Sequence, residues 1–434
     1  MFTRLQSAGA FLRERQRWWI VGLLCLTSVV NSIDRQALSV MSTTLKAELG
    51  FGSVEYSYVV ASFLAAYAIG YTFCGRVLDR IGVRVGLALA LGFWSLAGML
   101  HAAALGWVTL AVCRFLLGLG ESFNSPAGVK AIAEWVPPRE RGLSMSIFSN
   151  GGIIGAILTP PLVAFTTLHF GWRWSFLVTG ALGFILLAVW WRSYETPAKH
   201  KKITPAERDY IQLHTQAGRK TGAPSSMWAL LQHPLCWAMF LARFLTDSIN
   251  YFFGFWLPGY LQDERGFSLA MVGMVAWIPF LAADIGGPGG GALSDYLIRR
   301  GWNPSRARRT MMAVAACVTP VAMLAVRVDV AWQALALIAI VVAAQSCWMA
   351  NQLTFISESV ERQNVGTMLS LSALGGSLGG ILSTLVAGRV IQGFGYTPVF
   401  TALGFLHLTA FAIITFAVRL ARTRAAAGGP TLSS

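Results

Sequence analysis

Apolar segments long enough to cross a lipid bilayer recur along the whole chain. A helix needs about 20 residues to span the hydrocarbon core, and twelve runs qualify: 18–41, 55–75, 84–104, 107–128, 142–166, 172–192, 235–260, 270–294, 310–327, 331–356, 365–389 and 396–419. Charged residues make up only 12% of the 434 residues, about half the fraction usual in a soluble domain. The pattern predicts an all-α membrane protein with twelve transmembrane helices.

The net charge of +15 is unevenly distributed between the two sides of this predicted bundle. When successive connections are assigned to alternate sides, most of the 34 Lys and Arg residues fall on one side, called the basic side below. The positive-inside rule places this side, and both termini with it, in the cytoplasm. This bias accounts for the net charge, and we predict no nucleic-acid partner.

A polar stretch divides the spans into two sets of six. The expected domains are an N-terminal half at 1–192, a cytoplasmic linker at 193–234 and a C-terminal half at 235–434. Within the linker, Thr204 followed by Pro205 is typical of a helix start, so the segment TPAERDYI predicts a short amphipathic helix.

The two halves share a signature that indicates an internal repeat. GRVLDRIGVR at 75–84 and GALSDYLIRR at 291–300 each place an Asp four residues after a Gly, at Asp79 and Asp295. Each lies just after the second span of its half. A duplicated six-span unit is typical of secondary transporters.

Four charged residues interrupt apolar runs and are the first candidates for function. Asp34 and Arg35 lie in span 1, and Arg114 and Glu121 lie in span 4. Each such charge costs about 2.5–3.5 kcal/mol on insertion scales, so it should line a polar path or be paired. Counting rise per residue puts Asp34 and Arg114 at similar depths. We therefore expect Asp34 to pair with Arg114, leaving Arg35 to face the pathway.

These charges suggest separate roles. The planar guanidinium of Arg35 suits a substrate carboxylate, and the hydroxyl of Tyr67 can donate to the same ligand. Asp34 and Glu121 are candidates to carry a coupling proton, with Arg114 modulating both acids. The alternative is a fixed charge network that holds spans 1 and 4 together.

The second half offers neutral polar groups that suit sugar hydroxyls. The candidates are Asn250, Tyr251, Asn351, Gln352, Ser370 and Ser372. The adjacent amides Asn351 and Gln352 are favoured, although such groups also form helix-packing hydrogen bonds.

The Gly-rich runs at 150–155 and 375–380 are interpreted as helix-packing surfaces. The sequence contains no metal-ligand spacing and no Walker pattern, so we expect neither a cofactor, a metal nor ATP-driven pumping.

Several motifs of the sequence resemble those of a known family. The loop motif G-x-x-x-D-R-x-G-x-R of the major facilitator superfamily is matched by Gly75, Asp79, Arg80, Gly82 and Arg84. Asp34-Arg35, Tyr67 and RFLLGLGES at 114–122 resemble its anion:cation symporter family. FWLPGYLQDERGFSL at 255–269 and GGGALSDYLIRRGWNPSRARR at 289–309 are similar to the hexuronate transporter branch.

The resemblance implies a proton-coupled importer of an organic anion, a hexuronate or related sugar acid, acting as a monomer in a bacterial inner membrane. It assigns Arg35 to the substrate carboxylate and Asp34 and Glu121 to protons. The loop around Asp79 would latch the outward-facing state through a helix N-terminus, with Asp295 a weaker equivalent. Gly75, Arg80 and Arg84 belong to the same gating loop.

Other functions stay open at this point. Some sugar-acid relatives carry a Gln in span 5 where this chain reads FSNGGIIGAILTPP, so an aldonate, an aromatic acid or a dicarboxylate is the alternative substrate. A drug exporter is disfavoured because Arg35 would repel a cation. A membrane-embedded enzyme or sensor is disfavoured by the internal repeat.

Overall fold

The computed structural model describes residues 16–215, 231, 233–360 and 364–426, and all regular secondary structure in these ranges is helical. The first seven long helices precede the linker: α1 Gln16–Val40, α2 Ser42–Leu49, α3 Ser53–Leu100, α4 Trp107–Glu121, α5 Asn124–Trp135, α6 Arg141–Phe170 and α7 Trp172–Ser193. The linker holds α8 Pro205–Thr215. The remainder is α9 Pro234–Asp263, α10 Leu269–Val275, α11 Ile278–Arg299, α12 Pro304–Val318, α13 Ala322–Ala325, α14 Ala331–Ser359, α15 Val365–Phe394 and α16 Thr397–Ala426.

These helices confirm the predicted all-α, twelve-span architecture. Spans 2 and 3 both lie on α3, which is divided at Gly82, where φ is 77° and ψ is 162°. A glycine adopts this conformation without the steric cost of a Cβ. Span 4 is shared between α4 and α5, and span 9 between α12 and α13.

Eight helical segments of the described residues are long and apolar enough, by length and composition alone, to cross a membrane. The predicted spans outside this set lie on α1, on α4 with α5, and on α9. The α1 and α9 helices carry polar residues and ion-paired side chains in their interiors, namely Arg35 and the Arg243–Asp247 pair. The break at Ser122 and Phe123 shortens both α4 and α5.

Contacts divide the chain into two compact units. Unit 1 holds Met1–Leu38 and Ser62–Lys220, and unit 2 holds Ser39–Ala61 and Thr221–Ser434. Residues 39–61 therefore group with the C-terminal helices, unlike in the division expected from sequence. Within unit 2, Lys46 Nζ lies 2.7 Å from Asp263 Oδ2. The Tyr56 hydroxyl donates to the carbonyl of Phe255 at 2.8 Å.

Glycines allow the same kind of close helix packing in both units. A Cβ at Gly155 of α6 would overlap the Val29 carbonyl of α1, and a Cβ at Gly379 of α15 would overlap the Phe244 carbonyl of α9. The prediction that these Gly-rich runs are packing surfaces is confirmed. The core of unit 2 gathers side chains of α9, α12, α14, α15 and α16 around Trp348.

Candidate functional site

Arg35 of α1 and Glu121 of α4 form an ion pair inside unit 1. Arg35 Nε and Nη2 each donate to Glu121 Oε2 at 3.1 Å. Nη2 also donates to Asn31 Oδ1, one turn earlier on α1, at 3.2 Å. The Glu121 side chain is fully buried, whereas 31% of the Arg35 side chain is exposed. The cation is thus the accessible member of the pair.

Two aromatic rings of α3 complete the surroundings of Arg35. Its guanidinium carbon lies 4.9 Å from the ring centroid of Tyr67 and 5.3 Å from that of Phe63. Cation–π attraction of this kind is stronger where water is excluded. Tyr67 is itself half-buried, so Arg35 and Tyr67 offer a charged donor and a hydroxyl side by side.

Asp34 occupies a different environment from its neighbour. It is 3% exposed, and neither carboxylate oxygen has a hydrogen-bond partner among the described residues. A Cβ at Gly98 of α3 would lie 3.9 Å from Asp34 Oδ1, so this glycine leaves room for the carboxyl group. Arg114 and Glu121 both act electrostatically on Asp34.

The expected pairing of Asp34 with Arg114 is wrong, and Arg35, which was expected to face the pathway, is ion-paired with Glu121 and keeps 31% of its side chain exposed. Arg114 Nη1 donates to the backbone carbonyl of Arg35 at 3.1 Å and to that of Asp34 at 3.5 Å. It therefore reaches the right depth but bonds the main chain of α1. Depth along a helix does not determine rotation about its axis, and it is the Arg35 side chain that forms an ion pair with Glu121 of α4.

His101 was not recognised from sequence as part of this region. Its ring is buried and stacked on Phe176 at a centroid distance of 4.8 Å, and its Nδ1 lies 2.8 Å from the Ala97 carbonyl. Arg114 acts on it electrostatically. Asn31 was also missed, although its position four residues before Arg35 on one helix face was a usable signal.

The loop signature lies at the basic end of unit 1. Asp79 Oδ1 is 2.7 Å from Lys130 Nζ of α5, which also donates to the Leu78 carbonyl at 2.9 Å. The partner of Asp79 is thus a lysine side chain and not the helix N-terminus that was expected. Arg84 forms an ion pair with Glu195, while Gly75 and Arg80 are exposed.

Asp295 has a denser set of partners in unit 2. Arg308 of α12 joins Asp295 Oδ1 at 2.7 Å and Glu358 Oε1 at 3.0 Å. The two signature aspartates thus share a position in the sequence repeat and a cationic partner, but that partner is a lysine in one unit and an arginine in the other.

The neutral polar candidates of unit 2 divide by exposure. Asn351 and Gln352 are completely buried on α14. Gln352 Oε1 accepts from Trp348 Nε1 at 2.9 Å, and Asn351 Nδ2 donates to the Cys347 carbonyl at 2.9 Å. Ser372 is buried and donates to the Met239 carbonyl at 3.3 Å. The three others are more accessible: Asn250 and Ser370 are exposed, and Tyr251 is half-buried.

Comparison with known proteins identifies the family. The sequence model of the Major Facilitator Superfamily matches residues 24–384. The chain belongs to this superfamily. It is therefore a multi-pass membrane transporter and not an enzyme, and the resemblance to the superfamily and to its sugar-acid branch is confirmed.

Curated relatives and a solved structure agree with this assignment. A hexuronate transporter of Escherichia coli K12 is 30% identical over 401 residues, covering 92% of this chain and 93% of the relative. A galacturonate transporter of Dickeya chrysanthemi is 35% identical over 272 residues, 62% of this chain and 79% of the relative. An inward-facing bacterial homologue of the human lysosomal transporter Spinster matches with a TM-score of 0.72 at 17% identity, covering 94% and 96% of the two chains, which supports the fold alone.

Proposed function

We propose that this major facilitator is a proton-coupled symporter that imports a sugar acid, most simply a hexuronate. The carrying observation is the Arg35–Glu121 pair, in which a partly exposed cation is held by a fully buried carboxylate. The names of the E. coli and Dickeya relatives, a hexuronate and a galacturonate transporter, support the substrate class. The alternative substrates are the aldonates, aromatic acids and dicarboxylates.

The pair suggests how substrate and proton are linked. A substrate carboxylate that reaches Arg35 competes with Glu121 for the same guanidinium N–H groups. Once separated from Arg35, a buried Glu121 carboxylate is costly to keep ionised. Proton uptake by Glu121 removes that cost, so binding of the anion favours binding of the proton.

Asp34 is proposed as a second proton carrier. Its carboxylate oxygens are buried and have no hydrogen-bond partner in the described part of the chain. Arg114 is proposed to orient this region, because it bonds the α1 carbonyls of both Asp34 and Arg35.

The remaining roles are proposals of the same kind. Asn351, Gln352, Asn250, Tyr251, Ser370 and Ser372 are proposed to serve the hydroxyl groups of the sugar. Gly75, Asp79, Arg80, Arg84 and Asp295 are proposed to act in gating at the basic side. We propose that the protein is a monomer in a bacterial inner membrane, and the charge bias supports a cytoplasmic position for both termini.

The test measures glucuronate binding and uptake separately. Arg35→Ala should abolish glucuronate binding in isothermal titration, and Arg35→Lys should restore it only in part because the two-pronged geometry is lost. Arg173→Ala is the matched control, since Arg173 is exposed and stacks on Trp172 in the same unit. Unchanged affinity in Arg35→Ala would contradict the assignment of this residue.

Glu121→Gln tests the coupling. The variant imitates a permanently protonated acid, so vesicles should still exchange labelled glucuronate across the membrane but should not concentrate it under an inward proton gradient. Accumulation at the wild-type level would exclude Glu121 as an obligatory proton carrier.

A further inference from the structure

A basic cavity lies where α7 ends at the predicted cytoplasmic side of unit 1. It has a volume of about 350 Å³ and is lined by five cationic side chains, namely Arg84, Arg192, Lys199, Lys201 and Lys202, but by a single carboxylate, Glu195. Glu195 is already paired with Arg84. The salt bridges of the described residues include none for the other four cations. The cavity therefore carries a concentrated positive charge.

The walls of this basic cavity are fixed by hydrogen bonds. Arg84 Nη2 donates to the Trp191 carbonyl at 3.0 Å, and its guanidinium lies 4.9 Å from the Trp191 ring centroid. His200 Nε2 lies 3.2 Å from the Ser193 carbonyl, and its Nδ1 accepts from the backbone N–H of Lys202 at 3.2 Å. The segment that bears Lys199, Lys201 and Lys202 is thus anchored to the end of α7.

An apolar groove continues from the basic cavity along the helices. It has a volume of about 590 Å³ and runs between Val85, Ala88 and Leu89 of α3 and Phe184, Leu187 and Ala188 of α7. Arg192 lines both the groove and the cavity. Trp19 and Trp191 are exposed beside them, and exposed tryptophans are typical of the membrane–water interface.

We propose that the basic cavity and the apolar groove together bind one anionic phospholipid. The phosphate occupies the cavity among Arg192, Lys201 and Lys202, and an acyl chain lies in the groove between α3 and α7. Basic pockets next to spanning helices on the cytoplasmic side suit anionic headgroups. A free phosphate ion would use the cavity but would have no use for an apolar groove that opens from the same arginine.

The experiment measures binding of dioleoyl phosphatidylglycerol to the purified full-length protein in detergent by native mass spectrometry. Dioleoyl phosphatidylcholine and inorganic phosphate serve as the other probes. The triple variant Arg192→Gln/Lys201→Gln/Lys202→Gln should weaken binding of phosphatidylglycerol at least about tenfold, which corresponds to about 1.4 kcal/mol. Arg139→Gln/Arg299→Gln/Arg300→Gln removes three exposed charges of the basic side that do not line the cavity, and it should leave binding unchanged.

A second variant separates the acyl chain from the headgroup. Ala188→Trp fills the groove and keeps every charge, so it should weaken phosphatidylglycerol several-fold, and it decides the matter if the triple variant fails to fold. Equal loss in both triple variants would reduce the effect to diffuse surface charge and overturn the proposal. If inorganic phosphate displaces phosphatidylglycerol completely and Ala188→Trp has no effect, the ligand is a free anion. If phosphatidylcholine binds as tightly as phosphatidylglycerol, the charge of the headgroup plays no role. Either result also overturns it.

Discussion

At the residue scale, the adjacent residues Asp34 and Arg35 have opposite settings. Arg35 is held by Glu121, Asn31 and two aromatic rings, whereas the carboxylate oxygens of Asp34 have no hydrogen-bond partner among the described residues. Successive residues of a helix point about 100° apart, so one helix can present a binding cation to one side and a buried acid to another.

Asp34→Asn should separate transport from coupling. The substitution keeps the shape and removes a buried ionisable group, so the protein should remain folded and should exchange labelled glucuronate between the two sides of a vesicle. Accumulation driven by an inward proton gradient should fall by at least about tenfold if Asp34 carries a proton. Asp209→Asn is the matched control, because it makes the same carboxyl-to-amide change at an exposed position of α8. Normal accumulation by Asp34→Asn would leave Asp34 with a structural role alone.

The candidate residues of this region could be named from sequence, but their partners could not. Charged residues within apolar runs stand out because inserting a charge into the membrane costs free energy. The depth of Arg114 relative to α1 was predicted correctly. The rotation of α1 depends on packing against α6, where Gly155 meets the Val29 carbonyl, and this contact has no local signal in the sequence of span 1. His101 was missed because a single histidine at a helix end resembles any other interfacial residue.

At the element scale, glycines such as Gly155 and Gly379 allow neighbouring helices of each unit to approach closely. Gly155→Ala should lower the free energy of unfolding by about 1–3 kcal/mol, because the added methyl overlaps a backbone carbonyl that cannot move as a side chain does. Gly152→Ala is the matched control, since nothing lies within 4 Å of a Cβ at that position. It should be neutral or stabilising by up to about 1 kcal/mol. Thermal unfolding in detergent compares them, and equal midpoints would contradict the close contact.

The connection between α7 and α8 should respond to pH through His200. Its ring donates from Nε2 to a carbonyl and accepts at Nδ1, so the bonded form is neutral, and burial lowers its pKa. Because the pKa of His200 is lower in the folded state, the stabilisation that its neutral ring gives to the fold is complete above the ordinary pKa of about 6.5. This stabilisation is lost as the pH falls through the lowered pKa. Wild-type melting temperature should therefore drop more steeply than that of His200→Gln between about pH 7 and pH 5. Parallel curves would show that His200 does not titrate in folding.

The linker helix α8 is anchored by its first turn. Thr204 Oγ1 accepts from the Glu207 N–H at 3.2 Å, while Glu207 Oε2 accepts from the backbone N–H of Gln16 at 3.0 Å. Arg17 Nη1 adds an ion pair to Glu207 at 3.0 Å. One carboxylate thus binds the N-terminus of α1, where the helix dipole favours a negative charge.

At the scale of the whole molecule, we propose that contacts of the segment 39–61 break during alternating access. It is joined to α9 by Lys46–Asp263 and by Tyr56 to the Phe255 carbonyl. The segment is also joined to α15, where the Val54 N–H donates to Gln392 Oε1 at 2.9 Å. We expect opening of the side opposite the basic side to require separation of this segment from α9.

Lys46→Gln/Tyr56→Phe should favour that separation. A lost buried hydrogen bond costs about 0.5–1.5 kcal/mol and a partly exposed ion pair about 0.2–1 kcal/mol, so the population ratio should shift roughly tenfold. Ser42→Cys is a suitable reporter in a background without the six native cysteines, because Ser42 is 2% exposed and packs against Gly259. Its labelling by a thiol reagent should become about tenfold faster, and an unchanged rate would contradict a gating role.

The span pattern and the repeat were predictable because they follow from hydropathy and from a duplicated signature. The grouping of residues 39–61 with unit 2 was not, since it depends on contacts such as Tyr56 to Phe255, more than 190 positions apart in the chain. A pattern read along the chain does not report such distant pairs.

The Arg35–Glu121 pair has a further consequence for affinity. Glu121 is tethered beside Arg35, so it competes as an internal ligand at a high effective concentration that no dilution of the medium can reduce. Under the proposed function, every substrate carboxylate would have to displace this rival, which would limit how tightly the anion is held. The same rival would take Arg35 back when the substrate leaves, so the tether that weakens capture would also speed release.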